Sequence, residues 1–196
     1  MAKKKYILGI VGSPRINGNT DFLVTSILDA AAEEGCRVEK INLNKSRINP
    51  CQACDHCKTH VRCIQKDDMQ MLNRKLRKAD GIVLGTPAYF WQETAQTKIF
   101  IDRLYAFYDK DFKLRIRGKK RGAVVFIWGE SGRSAARTLK PVVKYLEKIL
   151  TRVLKADLVG RIVAGGIPES CDASASIKLI RNAEAIGKKM ARSLHK

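Results

Sequence analysis

Short apolar runs separated by polar turns and helically spaced segments constrain this chain more than any other feature. The run Tyr-Ile-Leu-Gly-Ile-Val over residues 6–11 is apolar at consecutive positions, which suits a strand covered on both faces. Similar strand signals recur at 36–43, 81–85, 123–128 and 158–164. Between them, residues 21–34 place Phe22, Leu23, Ile27, Leu28 and Ala31 at helical spacing, with Asn19 or Thr20 as N-cap and Gly35 as terminator. Residues 67–78, 94–107, 139–150 and 173–194 also read as helices, the second of these after a proline turn. Strands alternating with helices imply an α/β fold with a mostly parallel sheet covered on both sides. Ligands of such folds bind at the carboxyl ends of the strands.

Composition excludes other classes. With 45% hydrophobic residues, 14 glycines and 5 prolines in 196 positions, the chain is neither a disordered tail nor a low-complexity linker. Its longest apolar stretches fall well short of the roughly 20 residues that span a bilayer. The basic start Met1 to Lys5 runs into a strand signal and not into an apolar signal core, so a cytoplasmic location is expected. Lys and Arg total 38 against 19 Asp and Glu, a formal charge of +19, which favours anionic partners. The stretch from Lys110 to Arg121 has no interleaved stacking aromatics, so nucleic acid is not the expected partner. A solvated surface, or attraction for an acidic electron carrier or for nicotinamide phosphates, accounts for it better.

Three loops carry unusual residues. Ser13 to Thr20, between the first strand and the first helix, offers hydroxyls, Arg15 and unpaired N–H groups to an anion such as phosphate. It has neither the GxGxxG nor the P-loop pattern, and a plain strand-to-helix turn is the competing reading. Tyr89, Phe90 and Trp91 can wall a flat ring, or simply pack on the next helix or on another subunit. Gly129, Glu130, Ser131 and Gly132 follow the fourth strand and can approach the ring's polar edge. The loop from Gly165 to Glu169 is assigned no role.

Four of the six cysteines, Cys51, Cys54, Cys57 and Cys63, lie within thirteen residues. Crowded thiols in a cytoplasmic chain point to metal or redox chemistry before disulfides. Gaps of two, two and five resemble compact iron–sulfur runs, although the last gap exceeds the ferredoxin one and no proline follows. A four-iron cluster, a zinc site completed by Cys63 or His60, and free thiols all remain open. His56 and His60 read as solvated, Cys36 as a sheet residue and Cys171 as an ordinary thiol.

Gly12-Ser13-Pro14-Arg15 with Gly18-Asn19-Thr20, the cysteine run ending in Asp67-Asp68-Met69, Thr86-Pro87-Ala88-Tyr89-Phe90, and Lys98 through Asp102-Arg103 together resemble the flavodoxin-like NADPH-dependent FMN reductase superfamily. The likeness is to its iron–sulfur flavoprotein branch and spans nearly the whole chain. It implies a doubly wound five-stranded parallel sheet in order 2-1-3-4-5 with a cysteine-rich insertion after strand 2. Residues 1–196 would form a single FMN-binding domain, with 44–66 as its cluster-binding segment. The resemblance assigns the FMN phosphate to Ser13, Arg15, Asn17, Asn19 and Thr20. It assigns the ribityl chain and ring to Thr86, Pro87, Ala88, Tyr89, Phe90 and Trp91, with Gly129, Glu130 and Ser131 from the third loop. Cys51, Cys54, Cys57 and Cys63 would hold a 4Fe-4S cluster. The expected function is transfer of electrons from a donor such as reduced ferredoxin through that cluster to FMN and on to a small acceptor, in a homodimer or homotetramer. FMN carries the redox chemistry, so no catalytic acid or base is assigned. The alternatives are an NAD(P)H-dependent FMN or quinone reductase without a cluster, and a zinc-stabilised binding protein with no enzymatic role.

Overall fold

The computed structural model describes residues 4–167 and 173–195. Five strands run parallel: β1 (Tyr6–Val11), β2 (Arg37–Asn42), β3 (Gly81–Tyr89), β5 (Lys120–Ile127) and β6 (Ala156–Ala164), in the order β2-β1-β3-β5-β6. The two-residue strand β4 (Gln92–Glu93) folds back antiparallel on the end of β3. Counting the long strands alone, this is the doubly wound 2-1-3-4-5 order, and the cysteine segment follows β2 as expected.

Every residue of β1 is buried because both faces of the sheet are covered. Leu8, Ile10, Leu84, Val124 and Phe126 pack on one side. Their partners include α3 (Met69–Lys78), α4 (Ala95–Arg103) and α5 (Arg133–Lys148). Ile7, Val11, Val83 and Val125 face the other side, toward α1 (Asn19–Glu33) and α6 (Ile177–Leu194). The two outer helices meet closely: a Cβ on Gly187 would lie 2.3 Å from the Ile27 carbonyl oxygen.

Several boundaries differ from expectation for local reasons. The third strand continues past Gly85 through Pro87, and the expected proline turn is a hairpin. Pro87 lies beyond the point where β1 ends opposite Gly85, so no ladder donor is demanded of it on that side. The helix expected at 139–150 begins at Arg133 and carries Pro141 inside it. Buried Ala135, Leu139, Val142, Val143 and Leu146 form a continuous apolar stripe whose packing outweighs a proline penalty of about 3 kcal/mol. The helix expected from residue 94 ends at Arg103 and tightens into a 3-10 turn over Leu104–Phe107. Among the described residues, no helix is long and apolar enough to cross a membrane.

Candidate functional site

The turns after β1, β3 and β5 meet at the carboxyl ends of the strands. There Ser13, Arg15, Gly18, Asn19, Thr20, Pro87, Ala88, Tyr89 and Gly129 line a crevice, with Ile127, Trp128 and Ile167. The crevice offers about 130 Å³, room for one end of a nucleotide-sized ligand and not the whole.

The first turn is built to leave donors open. The Arg15 backbone N–H donates to Ser13 Oγ at 3.2 Å, and the Gly18 N–H returns to the Arg15 carbonyl at 3.3 Å. A Cβ on Gly18 would sit 3.0 Å from Arg15 Cβ, so the tight turn suits glycine. Gly18 caps α1 without a side-chain hydrogen bond, and the first helical bond runs from the Phe22 N–H to the Gly18 carbonyl at 2.9 Å. The N–H groups of Asn19, Thr20 and Asp21 precede it at the positive end of a fifteen-residue helix dipole. An uncapped helix N-terminus favours an anion beside it, although Asp21 already places one carboxylate in this first turn. Asn19 is not the cap: its Oδ1 accepts from the Ala173 N–H at 2.6 Å and ties the crevice to the segment before α6. Asn17 also stands off the lining, in a left-handed conformation (φ 60°), with its N–H on Asp21 Oδ2 at 2.8 Å.

The β3–β4 hairpin forms the opposite wall. Thr86 is fully buried, and its hydroxyl accepts from the Thr94 N–H at 3.3 Å, so it braces the hairpin base and does not line the crevice. Thr94 Oγ1 in turn donates to the Gly12 carbonyl at 2.7 Å, joining this wall to the first turn. Phe90 and Trp91 form the two-residue hairpin tip, both left-handed at φ 50° and 62°. Phe90 is 90% exposed and Trp91 54%, with ring centroids 4.9 Å apart. On the third turn Gly129 lines the crevice, while Glu130 and Ser131 are exposed beyond it. Ile127, Trp128 and Ile167 are lining residues given no site role from the sequence, where Gly18 enters only as part of the first-loop motif. Trp128 was detectable as the aromatic at the junction of an apolar strand and a glycine turn; Ile167 had no such signal.

A model of the family described as NADPH-dependent FMN reductase matches residues 6–154. The chain belongs to that family. Among curated members, it is 45% identical over 97 residues to iron-sulfur flavoprotein MJ1083 of Methanocaldococcus jannaschii, a match covering 50% of this chain and 50% of that relative. An iron-sulfur flavoprotein of Methanosarcina thermophila is 31% identical over 136 residues, covering 69% of this chain and 70% of its own. The match thus spans only half the length of the first of these relatives. Among solved structures, the NAD(P)H:quinone oxidoreductase from Methanothermobacter marburgensis superposes with a TM-score of 0.74 at 14% identity, over 95% of this chain and 96% of that one. At that identity the likeness is one of fold.

The cysteine segment of this family member corrects the expectation of a 4Fe-4S cluster. Among the described residues, no group of three or more His, Cys, Asp or Glu side chains is placed to hold a metal ion, whether as an iron–sulfur or a zinc site. The reason lies in how the segment is anchored. Cys57 is buried, and burial pushes its thiol up from the ordinary range. Cys63 Sγ lies 3.5 Å from Arg103 Nη2, while Cys51 and Cys54 are exposed on a loop bent by left-handed Ala53 and Asp55 (φ 51° and 53°). The four free thiols therefore face different surroundings. Cys171 lies outside the described residues, as do Pro168 and Glu169.

Two arginines fasten this segment. Arg103, on α4, is fully buried and grips Asp67 with two hydrogen bonds of 2.5 and 3.0 Å and the Asn49 carbonyl at 2.7 Å. Burial opposes ionisation of Asp67, yet the Arg103 hydrogen bond and the Asn49 N–H hold its carboxyl below the ordinary range. Arg115 donates to the carbonyls of Cys57, Lys58 and His60 at 2.6 to 2.9 Å. Lys58 is buried with its ammonium 3.3 Å from the Tyr105 ring centroid and 4.7 Å from that of Phe112. His56 opens the four-residue helix α2 (His56–Thr59) and stacks on His60 at 3.8 Å between centroids.

Proposed function

We propose that this protein is an FMN-dependent reductase that takes electrons from NAD(P)H and passes them to a small acceptor such as a quinone, with no cluster in the path. The observation that supports it is the crevice where an uncapped α1 N-terminus faces the β3–β4 hairpin, in a chain whose family match covers 6–154. The residues present fit the cofactor. Ser13, Thr20 and Arg15 stand beside the open N–H groups and would hold its phosphate; Pro87, Ala88, Tyr89 and Gly129 would line the remainder, with Phe90 and Trp91 on the outer lip. When bound, FMN supplies the exchange of electrons between a nicotinamide and an acceptor.

The chain's own part is binding and orientation. The α1 dipole and Arg15 favour a dianionic phosphate at one end of the crevice. The apolar lip excludes water from one side of whatever ring lies against it. Ile16, Phe90 and Trp91, all exposed, also supply the apolar surface for a homodimer in our reading.

Titration of the purified chain with FMN, followed by anaerobic addition of NADPH or NADH, tests the proposal. Stoichiometric quenching of flavin fluorescence and bleaching of the flavin band are expected. Arg15→Ala should weaken FMN about tenfold, the loss of about 1.4 kcal/mol. Failure of the unaltered chain to bind FMN overturns the reading.

A further inference from the structure

A second cavity, also lined by Trp128, lies in the groove between α5 and the edge strand β6. It holds about 420 Å³, within the range of small-molecule sites. Trp128, Leu139, Val143 and Val163 make an apolar floor. Lys140, Lys144 and Arg161 stand on its rim, together with one carboxylate, Glu147. That carboxylate is already engaged, since Arg161 Nη1 lies 2.8 Å from Glu147 Oε1. Lys140 and Lys144 are exposed and have no ion-pair partner among the described residues.

The two lysines belong to a longer row. Arg133, Arg137, Lys140, Lys144 and Lys148 are all exposed and recur at spacings of three or four, so they share one face of α5. Like charges at those spacings destabilise a helix. The groove therefore combines an apolar floor with a positive rim left uncompensated.

We propose that this groove is a binding site for an anionic small molecule with an apolar body, of the aromatic carboxylate or sulfonate class. The apolar part lies on Leu139, Val143 and Val163, and the anionic group meets Lys140 and Lys144. Trp128 also lines the cofactor crevice, so the two sites share a wall and remain separate volumes.

Calorimetric titration with anilinonaphthalene sulfonate and with its uncharged analogue phenylnaphthylamine, each with and without saturating FMN, tests the site. The sulfonate is expected to bind one per chain, at least tenfold more tightly than the uncharged probe, and undisplaced by FMN. The double variant Lys140→Gln and Lys144→Gln should erase that preference while leaving the uncharged probe's affinity unchanged. Val163→Trp, which fills the groove from the exposed strand edge, should abolish both. Equal affinity for the two probes overturns the proposal, as does a sulfonate affinity unaltered by the lysine pair or by Val163→Trp. Displacement by FMN assigns the probe to the crevice and overturns it as well; whether FMN binds at all is read separately from its own titration.

Discussion

Phe90 and Trp91 are held where side chains of their size resist being held. A two-residue hairpin with positive φ at both positions is a turn that favours Asn-Gly, and each bulky residue there costs about 1–2 kcal/mol. Such strain persists where the surroundings impose it, and it clusters at ligand sites. Replacing the pair by Phe90→Asn and Trp91→Gly should stabilise the fold by about 1–3 kcal/mol in urea unfolding. The same variant should lose FMN affinity or turnover with a small acceptor about tenfold. A variant no more stable than the parent would show that the turn is unstrained. None of this was legible beforehand, because three consecutive aromatics on a loop carry no mark of left-handed backbone. The aromatic loop itself was legible, as were Ser13, Thr20 and Gly129 on the crevice. Asn17 and Thr86, expected there from the resemblance, and Glu130 and Ser131, expected there also from their place after the fourth strand, are not among the crevice's lining residues: the first two make hydrogen bonds elsewhere and the last two are exposed.

The elements divide by how local their causes are. β1 has the bounds expected of it because a continuous apolar run between polar turns leaves few choices. The cysteine segment shows the opposite case. Its spacing states how far the chain can reach between sulfurs and says nothing about where each sulfur is held. That was decided by Arg103 and Asp67, 36 residues apart, and by Arg115 in a stretch that read only as surface charge. With side-chain exposures of 1% and 5%, Arg103 and Asp67 form a buried pair. Arg103→Leu should cost about 3–5 kcal/mol, seen as a lower urea midpoint and rapid proteolysis within 44–66. An unchanged midpoint would mean that the pair adds nothing to anchoring. Because the Asp67 carboxyl is held below its unfolded value, its contribution is present above the ordinary carboxylate pKa and is lost as pH falls through the lowered value. Asp67→Asn should remove that part of the acid sensitivity. At the α1–α6 crossing, Gly187→Val must displace backbone at Ile27 and should destabilise by about 1–3 kcal/mol, measured by thermal unfolding.

On the scale of the whole molecule, charge dominates. Of 38 basic residues at most 19 can meet an acidic one, which leaves at least 19 uncompensated whatever the pairing. Self-repulsion of that size opposes the compact state and is relieved by salt. Raising salt from about 0.01 M to about 0.1 M shortens the Debye length from about 30 Å to about 10 Å. The melting temperature should rise by roughly 2–4 °C, the equivalent of about 1 kcal/mol at this size. A fall would show that attractive pairs outweigh the excess. Parallel strands add a polarity of another kind. The crevice turns all leave the carboxyl ends of β1, β3 and β5, whereas the exposed turn at Gly118 and Lys119 enters β5 at its amino end. The protein thus comes with a working end and a handle. A tether fixed near Gly118, to an electrode or to a fused domain, would hold the molecule by the rim that carries none of the crevice turns and leave the other facing the solution.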